Sequence, residues 1–192
     1  MNNVKKVKGP VKIEKVFISV SYKEGIEMLV KKLLKINPKV VFYSSIGTYK
    51  KIFEILGKKL ADINLVKIPN AELVEQKADS FDLVVVNLNP FAYIIAKIEC
   101  TLEMACDNID IVGHMMLRAA AINFYRGAIL CNTDDYLPFC NEVSLNKGCI
   151  SLHARLELMK KVFDHTILYD SVIREYFAKV DEDELLKLYK CF

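Results

Sequence analysis

Apolar positions along this chain recur with two periods. Short β-branched runs read as strands: Lys15-Val-Phe-Ile-Ser-Val-Ser21, Val40-Val-Phe-Tyr43, Leu65-Val-Lys-Ile68, Leu83-Val-Val-Val86 and Ala128-Ile-Leu-Cys131. Leu83–Val86 is apolar at every position, the pattern of a parallel strand covered on both faces. Between the runs the period lengthens. Ile26, Leu29, Val30, Leu33 and Leu34 share one helix face, and Asn37-Pro38 ends it. Further helices are expected over about 49–60, 92–98, 101–107, 113–123, 151–163, 166–177 and 181–188, the last opened by Asp181 with Glu184 as a cap. Strands alternating with helices predict a three-layer α/β fold on a mainly parallel, five-stranded sheet, with a helical C-terminal extension. Residues 15–192 read as one domain and residues 1–14 as a basic tail.

Composition narrows the class. A chain of 192 residues with 53% apolar content can build one core without staples. No apolar run is long enough to span a bilayer, and the Lys-rich start lacks the apolar stretch of a secretory signal, so a cytoplasmic location and no membrane partner are expected. Six cysteines form no Cys-x-x-Cys pair and three histidines add no ligand spacing. They read as reduced thiols, with no metal and no cofactor. Net charge is +3, with Lys5, Lys6, Lys8, Lys12 and Lys15 near the start. Without interleaved aromatics these read as a solvated tail, not an arm for nucleic acid.

In open parallel sheets ligands bind beyond the carboxyl ends of the strands. Ser19-Val-Ser21-Tyr-Lys23 leaves a strand and opens a helix, and hydroxyls, backbone N–H groups and an ammonium there suit a phosphate. Ser21 could equally be a helix cap. Ser44-Ser45-Ile46-Gly47-Thr48 is a second such turn, without the Gly-Lys-Ser/Thr ending of a P-loop. Asn87 can bond a base or close an Asx-turn before Pro90. Asp110, just ahead of a helix, reads as a general base or an N-cap. Arg118 lies in an apolar, Ala-rich stretch, which predicts burial against Asp110 or a ligand phosphate.

Taken in order, several runs resemble one family. They are Ile18-Ser-Val-Ser-Tyr-Lys-Glu-Gly-Ile26, Phe81-Asp-Leu-Val-Val-Val-Asn-Leu-Asn-Pro-Phe91, Asn108-Ile-Asp-Ile-Val-Gly113, Met116-Leu-Arg-Ala-Ala-Ala-Ile-Asn123 and Ser151-Leu-x-x-Arg-Leu156, with Phe163-x-His-Thr166 and Tyr169-Asp170. The chain is similar to the cyclohydrolase domain of the bifunctional AICAR formyltransferase/IMP cyclohydrolase family. The resemblance implies a methylglyoxal-synthase-like fold, a purine ribonucleotide (formyl-AICAR or IMP) as partner, and closure of formyl-AICAR to IMP with loss of water. It places the phosphate among Ser19, Ser21, Lys23, Ser45, Gly47 and Thr48, with Asn87 by the base and Arg118 also in the site. It makes Asp110 the proton acceptor and the backbone of Ile111–Gly113 the oxyanion donor. A homodimer stays open, and the formyltransferase domain is expected to be absent.

The chain also departs from that pattern. The family's Arg-Val-Lys-Thr-Leu-His-Pro loop has no counterpart between Ile68 and Phe81. Asn89 stands for a Tyr, Ile122 for a Lys, Ile46-Gly47 for Gly-Gly and Val112 for Gly. Of the four side chains given catalytic roles in the family, only Asp110 remains. Two readings follow: a cyclohydrolase running on Asp110, backbone donors and proximity, or a non-catalytic relative that binds a purine nucleotide or a partner protein. Loss of a general acid or base removes about 10² to 10⁴ in rate, which favours weak or absent activity.

Overall fold

The structure is a computed structural model that describes residues 9–68, 80–182 and 185–186. Its strands are β1 (Val11–Lys12), β2 (Lys15–Val20), β3 (Val41–Ser45), β4 (Leu65–Ile68), β5 (Leu83–Asn87), β6 (Ala128–Leu130) and β7 (Cys149–Ile150). The helices are α1 (Ile26–Ile36), α2 (Ile46–Asn64), α3 (Phe91–Ile95), α4 (Leu102–Asp107), α5 (Ile111–Ile122), α6 (Tyr136–Leu145) and α7 (Leu152–Phe177). Five strands form one sheet in the order β4-β3-β2-β5-β6, every neighbouring pair parallel.

Alternating residues feed two cores. Val16, Ile18, Val20, Leu83 and Val85 pack with Leu29, Val30 and Leu33 of α1, Ile52 of α2 and Val143 of α6. Phe17, Val84 and Val86 point the other way, onto Met116, Leu117 and Ala121 of α5 and Val162 of α7. These are the three layers expected. β5 is buried along its whole length and pairs on both sides, with β2 and with β6. The chain steps outward from β2 through β3 to β4, then returns to the other side of β2 as β5. Strand order therefore reverses between β2 and β5, and the crevice beyond their carboxyl ends is where such a sheet binds ligands.

Several expectations change. The basic tail does not extend to residue 14: β1 pairs antiparallel with β7, and Val11 and Ile13 are buried in the core. Alternation of these apolar residues with Lys12 and Glu14 is a short strand signal masked by the lysines around it. The two helices expected over 151–163 and 166–177 are one, α7, because Asp164-His165 contains no breaker and Thr166 bonds back to the Phe163 carbonyl. Residues 132–150 were left without an element, yet they carry a 3-10 turn (Thr133–Asp135), α6 and β7. Pro138 sits in the first turn of α6, where no N–H is needed. Helix α2 starts at Ile46 rather than Tyr49 and bends at Gly57, whose φ of 70° is left-handed. Of the helix expected over 181–188, residues 183–184 and 187–192 lie outside the described residues, as does most of the Ile68–Phe81 connection.

Among the described residues, one cation, Arg155, is fully buried. Its Nε donates to the Phe124 carbonyl at 2.8 Å, and its Nη1 donates to those of Gly9 at 3.0 Å and Ile150 at 2.9 Å. One side chain thus ties the N-terminal segment, the α5–β6 connection and β7 together. Arg155→Met should cost about 3 kcal/mol or more, because three carbonyls lose their donor together. The urea midpoint measures it; a loss under about 1 kcal/mol would mean that water replaces the guanidinium fully.

Candidate functional site

A cavity of about 210 Å³ opens at the carboxyl ends of β2 and β5. Its walls include Ser19 and Ser21, Ser45, Gly47 and Thr48, Asn87, Asp110 and Gly113. Eight of the residues singled out from sequence therefore meet in one place. Lys23 adjoins it through Thr48.

Local sequence explains the arrangement. Asn87 closes β5, and its buried carboxamide takes the place of a neighbouring strand for the β2–α1 turn. Its Oδ1 accepts the Ser21 N–H at 2.5 Å and the Tyr22 N–H at 3.2 Å, and its Nδ2 donates to the Tyr22 carbonyl at 3.1 Å. Asn87 thus braces the turn while lining the cavity. Thr48, also buried, ties α2 to β2: its hydroxyl accepts the Val20 N–H at 3.0 Å and donates to the Val20 carbonyl at 3.2 Å. Ser19 donates to Ser45 at 2.9 Å, joining the ends of β2 and β3.

Lys23 differs from these braces. Its ammonium bonds the Val20 carbonyl and, at 3.3 Å, the Thr48 hydroxyl, both neutral. It has no acidic partner among the described residues. Partial burial holds its pKa below the ordinary lysine value. The N-terminus of α2 beside it has no side-chain cap. A half-buried cation and a helix start without a side-chain cap thus meet at Thr48, which lines the cavity.

The opposite wall is acidic. Asp110 N-caps α5, its Oδ1 accepting the Gly113 N–H at 2.7 Å, and its Oδ2 accepts the Asn89 N–H at 3.1 Å. Both readings of Asp110 thus describe one residue: a cap that still borders the cavity. The Asn89 side chain reaches Ser21, whose hydroxyl donates to it at 2.5 Å. The Tyr169 hydroxyl, from α7, accepts the Asp110 N–H at 2.9 Å. Tyr169 belongs to a run quoted above but was given no role, since nothing in its spacing reveals that α7 lies along α5. Beside it, His114 Nε2 is 3.3 Å from Asp170 Oδ1 but is not aligned for a hydrogen bond. A second cavity of about 270 Å³ shares Asn87 and is walled by Tyr22, Asn89, His165 and Tyr169. Burial, then the nearby His114, lowers the His165 pKa.

One sequence expectation is corrected here, and two further segments are placed. Arg118 is not buried and does not face Asp110; it is exposed on α5, its guanidinium 5.7 Å from the centre of the Phe163 ring. The fully buried arginine is Arg155. Of the backbone donors expected at Ile111–Gly113, the Ile111 N–H bonds the Ile109 carbonyl and the Gly113 N–H bonds Asp110, while Val112 lines the cavity. Finally, Ile122 does not neighbour Asp110. They bracket the continuous 12-residue helix α5, which at 1.5 Å per residue separates them by about 18 Å.

Comparison with known proteins agrees with the resemblance. Residues 120–191 match the family described as the AICARFT/IMPCHase bienzyme. The bifunctional purine biosynthesis protein PurH of Neisseria meningitidis serogroup C is 40% identical over 131 residues, 68% of this chain and 24% of that protein. PurH of Polynucleobacter asymbioticus is 42% identical over 113 residues, 59% of this chain and 22% of that protein. The chain belongs to the AICARFT/IMPCHase family. It spans about a quarter of the length of these PurH relatives, and the match is the size of an IMP cyclohydrolase part. A solved structure, described as the crystal structure of ForH, superposes with a TM-score of 0.66 over 86% of this chain and 99% of its own at 21% identity, which shows a common fold.

The Asp110 cap can be tested without any ligand. A Cβ on Gly113 would lie 2.7 Å from both Asp110 carboxylate oxygens. Gly113→Ala should therefore dislodge the cap and cost about 1 kcal/mol, as should Asp110→Ala. The double variant should cost little more than either alone, since both remove one interaction. Strictly additive losses in thermal denaturation would show that the two residues act independently.

Proposed function

We propose that this member of the AICARFT/IMPCHase family holds the phosphate of a purine ribonucleotide at the β2–β5 crevice and closes formyl-AICAR to IMP slowly or not at all. The observation that carries the binding half is Lys23: a half-buried ammonium with only neutral partners, beside the uncapped N-terminus of α2. An anion there would regain what burial costs the ammonium and would meet helix N–H groups. Ser45, whose hydroxyl accepts from Ser19 and keeps its own proton to donate, would add a hydroxyl. Asp110, across the cavity, would turn toward the part of the ligand that carries N–H groups.

The catalytic half is thinner. Ring closure needs a proton taken from the carboxamide nitrogen, donors for the oxyanion and a proton for the departing hydroxyl. Asp110 can accept a proton, though each carboxylate oxygen already accepts one backbone N–H. The oxyanion donors expected at Ile111 and Gly113 are engaged within the chain. Asn89 fills the place of a phenol and braces Ser21. What remains is positioning, which by itself can supply a large share of the rate of an intramolecular attack.

Binding is tested by calorimetry with IMP. Lys23→Ala should weaken it about ten-fold or more, as loss of a charge-assisted contact does. Because burial lowers the Lys23 pKa, the ammonium is lost at a lower pH than from an ordinary lysine. Affinity for IMP should therefore fall as pH rises toward the lysine range, and Lys23→Arg should flatten that fall. No IMP or AMP binding at millimolar concentration would point instead to a protein-interaction role.

Catalysis is tested by supplying formyl-AICAR and following IMP against the spontaneous reaction. The expected result is little or no acceleration; turnover within ten-fold of PurH would defeat the proposal. Ile122→Lys should change the rate less than about three-fold, since about 18 Å of helix separates it from Asp110 of its own chain. A large rescue would show that residue 122 acts on a site other than the one at its own helix's start.

A further inference from the structure

The far end of α1 carries a third cavity, separate from the crevice just described. Its volume is about 450 Å³, and it lies where the C-terminal ends of α1 and α6 meet the turn into β7. Lys32, Lys35 and Lys147 line it, together with Asn141 and Ser144; no carboxylate does. Lys23 precedes α1, and Lys35 is in its last turn, so at 1.5 Å per residue the two sites stand about 16 Å apart.

We propose that this cavity is a binding site for a small anion carrying two or more phosphate groups. Three lysines and no carboxylate leave the lining with an excess of positive charge, which attracts an anion. None of them has an acidic partner among the described residues, whereas the neighbouring Lys31 pairs with Glu27. Lys32 donates to the Asn141 carboxamide oxygen at 3.2 Å, and Asn141 lines the cavity with an amide that also carries N–H donors. The Ser144 hydroxyl adds a further donor. Cys140 adds no negative charge: burial pushes its thiol up to about 11.

The bland alternative is that the lysines only neutralise two helix C-termini. Each terminus is worth about half a negative charge, so two of them balance one lysine and leave about two positive charges over. The helix ends are also closed already: the Asn37 N–H bonds Leu33, the Asn146 N–H bonds Glu142 and the Gly148 N–H bonds Val143. Lys147 is moreover held at a φ of 54°, a left-handed conformation that Gly would adopt without strain. A lysine at such a position does nothing for the turn.

That last point supplies the test. Inorganic pyrophosphate is titrated into the full chain by calorimetry, with orthophosphate as the control. Binding should be tighter for pyrophosphate and should include an equivalent that survives Lys23→Ala. Lys147→Gly should weaken that equivalent about three-fold while leaving the Tm unchanged or raising it. Adding Lys35→Gln should bring the loss to about ten-fold. Retained IMP affinity in these variants would separate this site from the crevice, whose own failure shows in Lys23→Ala instead. The proposal is overturned if wild type binds no pyrophosphate at millimolar concentration, or if binding is abolished by Lys23→Ala and unmoved by Lys147→Gly.

Discussion

Everything about the crevice depends on how β5 returns beside β2. A strand apolar at every position must be covered on both faces, so β5 takes a central place, and β3 and β4 are displaced to one side. The polypeptide leaving β2 and the polypeptide leaving β5 then diverge, and backbone groups at both strand ends lose their sheet partners. Asn87 resolves the conflict by reaching across with its carboxamide to the Ser21 and Tyr22 backbone. With that bridge in place the crevice has fixed walls, and α2 and α5 both start on it.

The two helix starts are treated oppositely. Asp110 satisfies that of α5 with its own carboxylate, braced in turn by Asn89 and Tyr169. That of α2 has no side-chain cap. One end of the cavity is therefore electrically complete and the other is not. Burial of Lys23 without a counter-charge deepens the asymmetry. The electrostatics of the cavity thus favour an anion at the α2 end over the Asp110 end.

Strand existence and helix alternation were legible because single elements carry strong signals, β5 most of all. The sheet order and the meeting of Ser19, Ser45, Thr48, Asn87 and Asp110 followed from the rule on strand ends once the strands were known. What stayed hidden was set by packing between distant segments. Whether an arginine in an apolar run is buried depends on which face of the helix it occupies: Arg118 falls on the exposed side of α5, while Arg155, in an ordinary-looking stretch of α7, is fully buried. Val11 and Ile13 look like tail residues until β7 supplies a partner. Tyr169 matters through the Asp110 N–H, a contact across 59 residues.

The length of α5 also changes how the substitutions combine. Read along the sequence, Asn89, Val112 and Ile122 look like damage to one centre. In space Asn89 and Val112 stand at the crevice, and Ile122 ends the same helix about 18 Å away with its side chain largely exposed. Asn89 and Val112 border the cavity, while the cationic, hydroxyl-bearing end keeps Ser19, Lys23, Ser45 and Thr48 and carries one change, Ile46 for Gly. Rate rises only through interactions stronger in the transition state than in the ground state. A grip on a phosphate distant from the reacting atoms is nearly the same in both. Under the proposed function, a crevice that kept such a grip without the other groups would lower the concentration needed for occupancy without speeding the step.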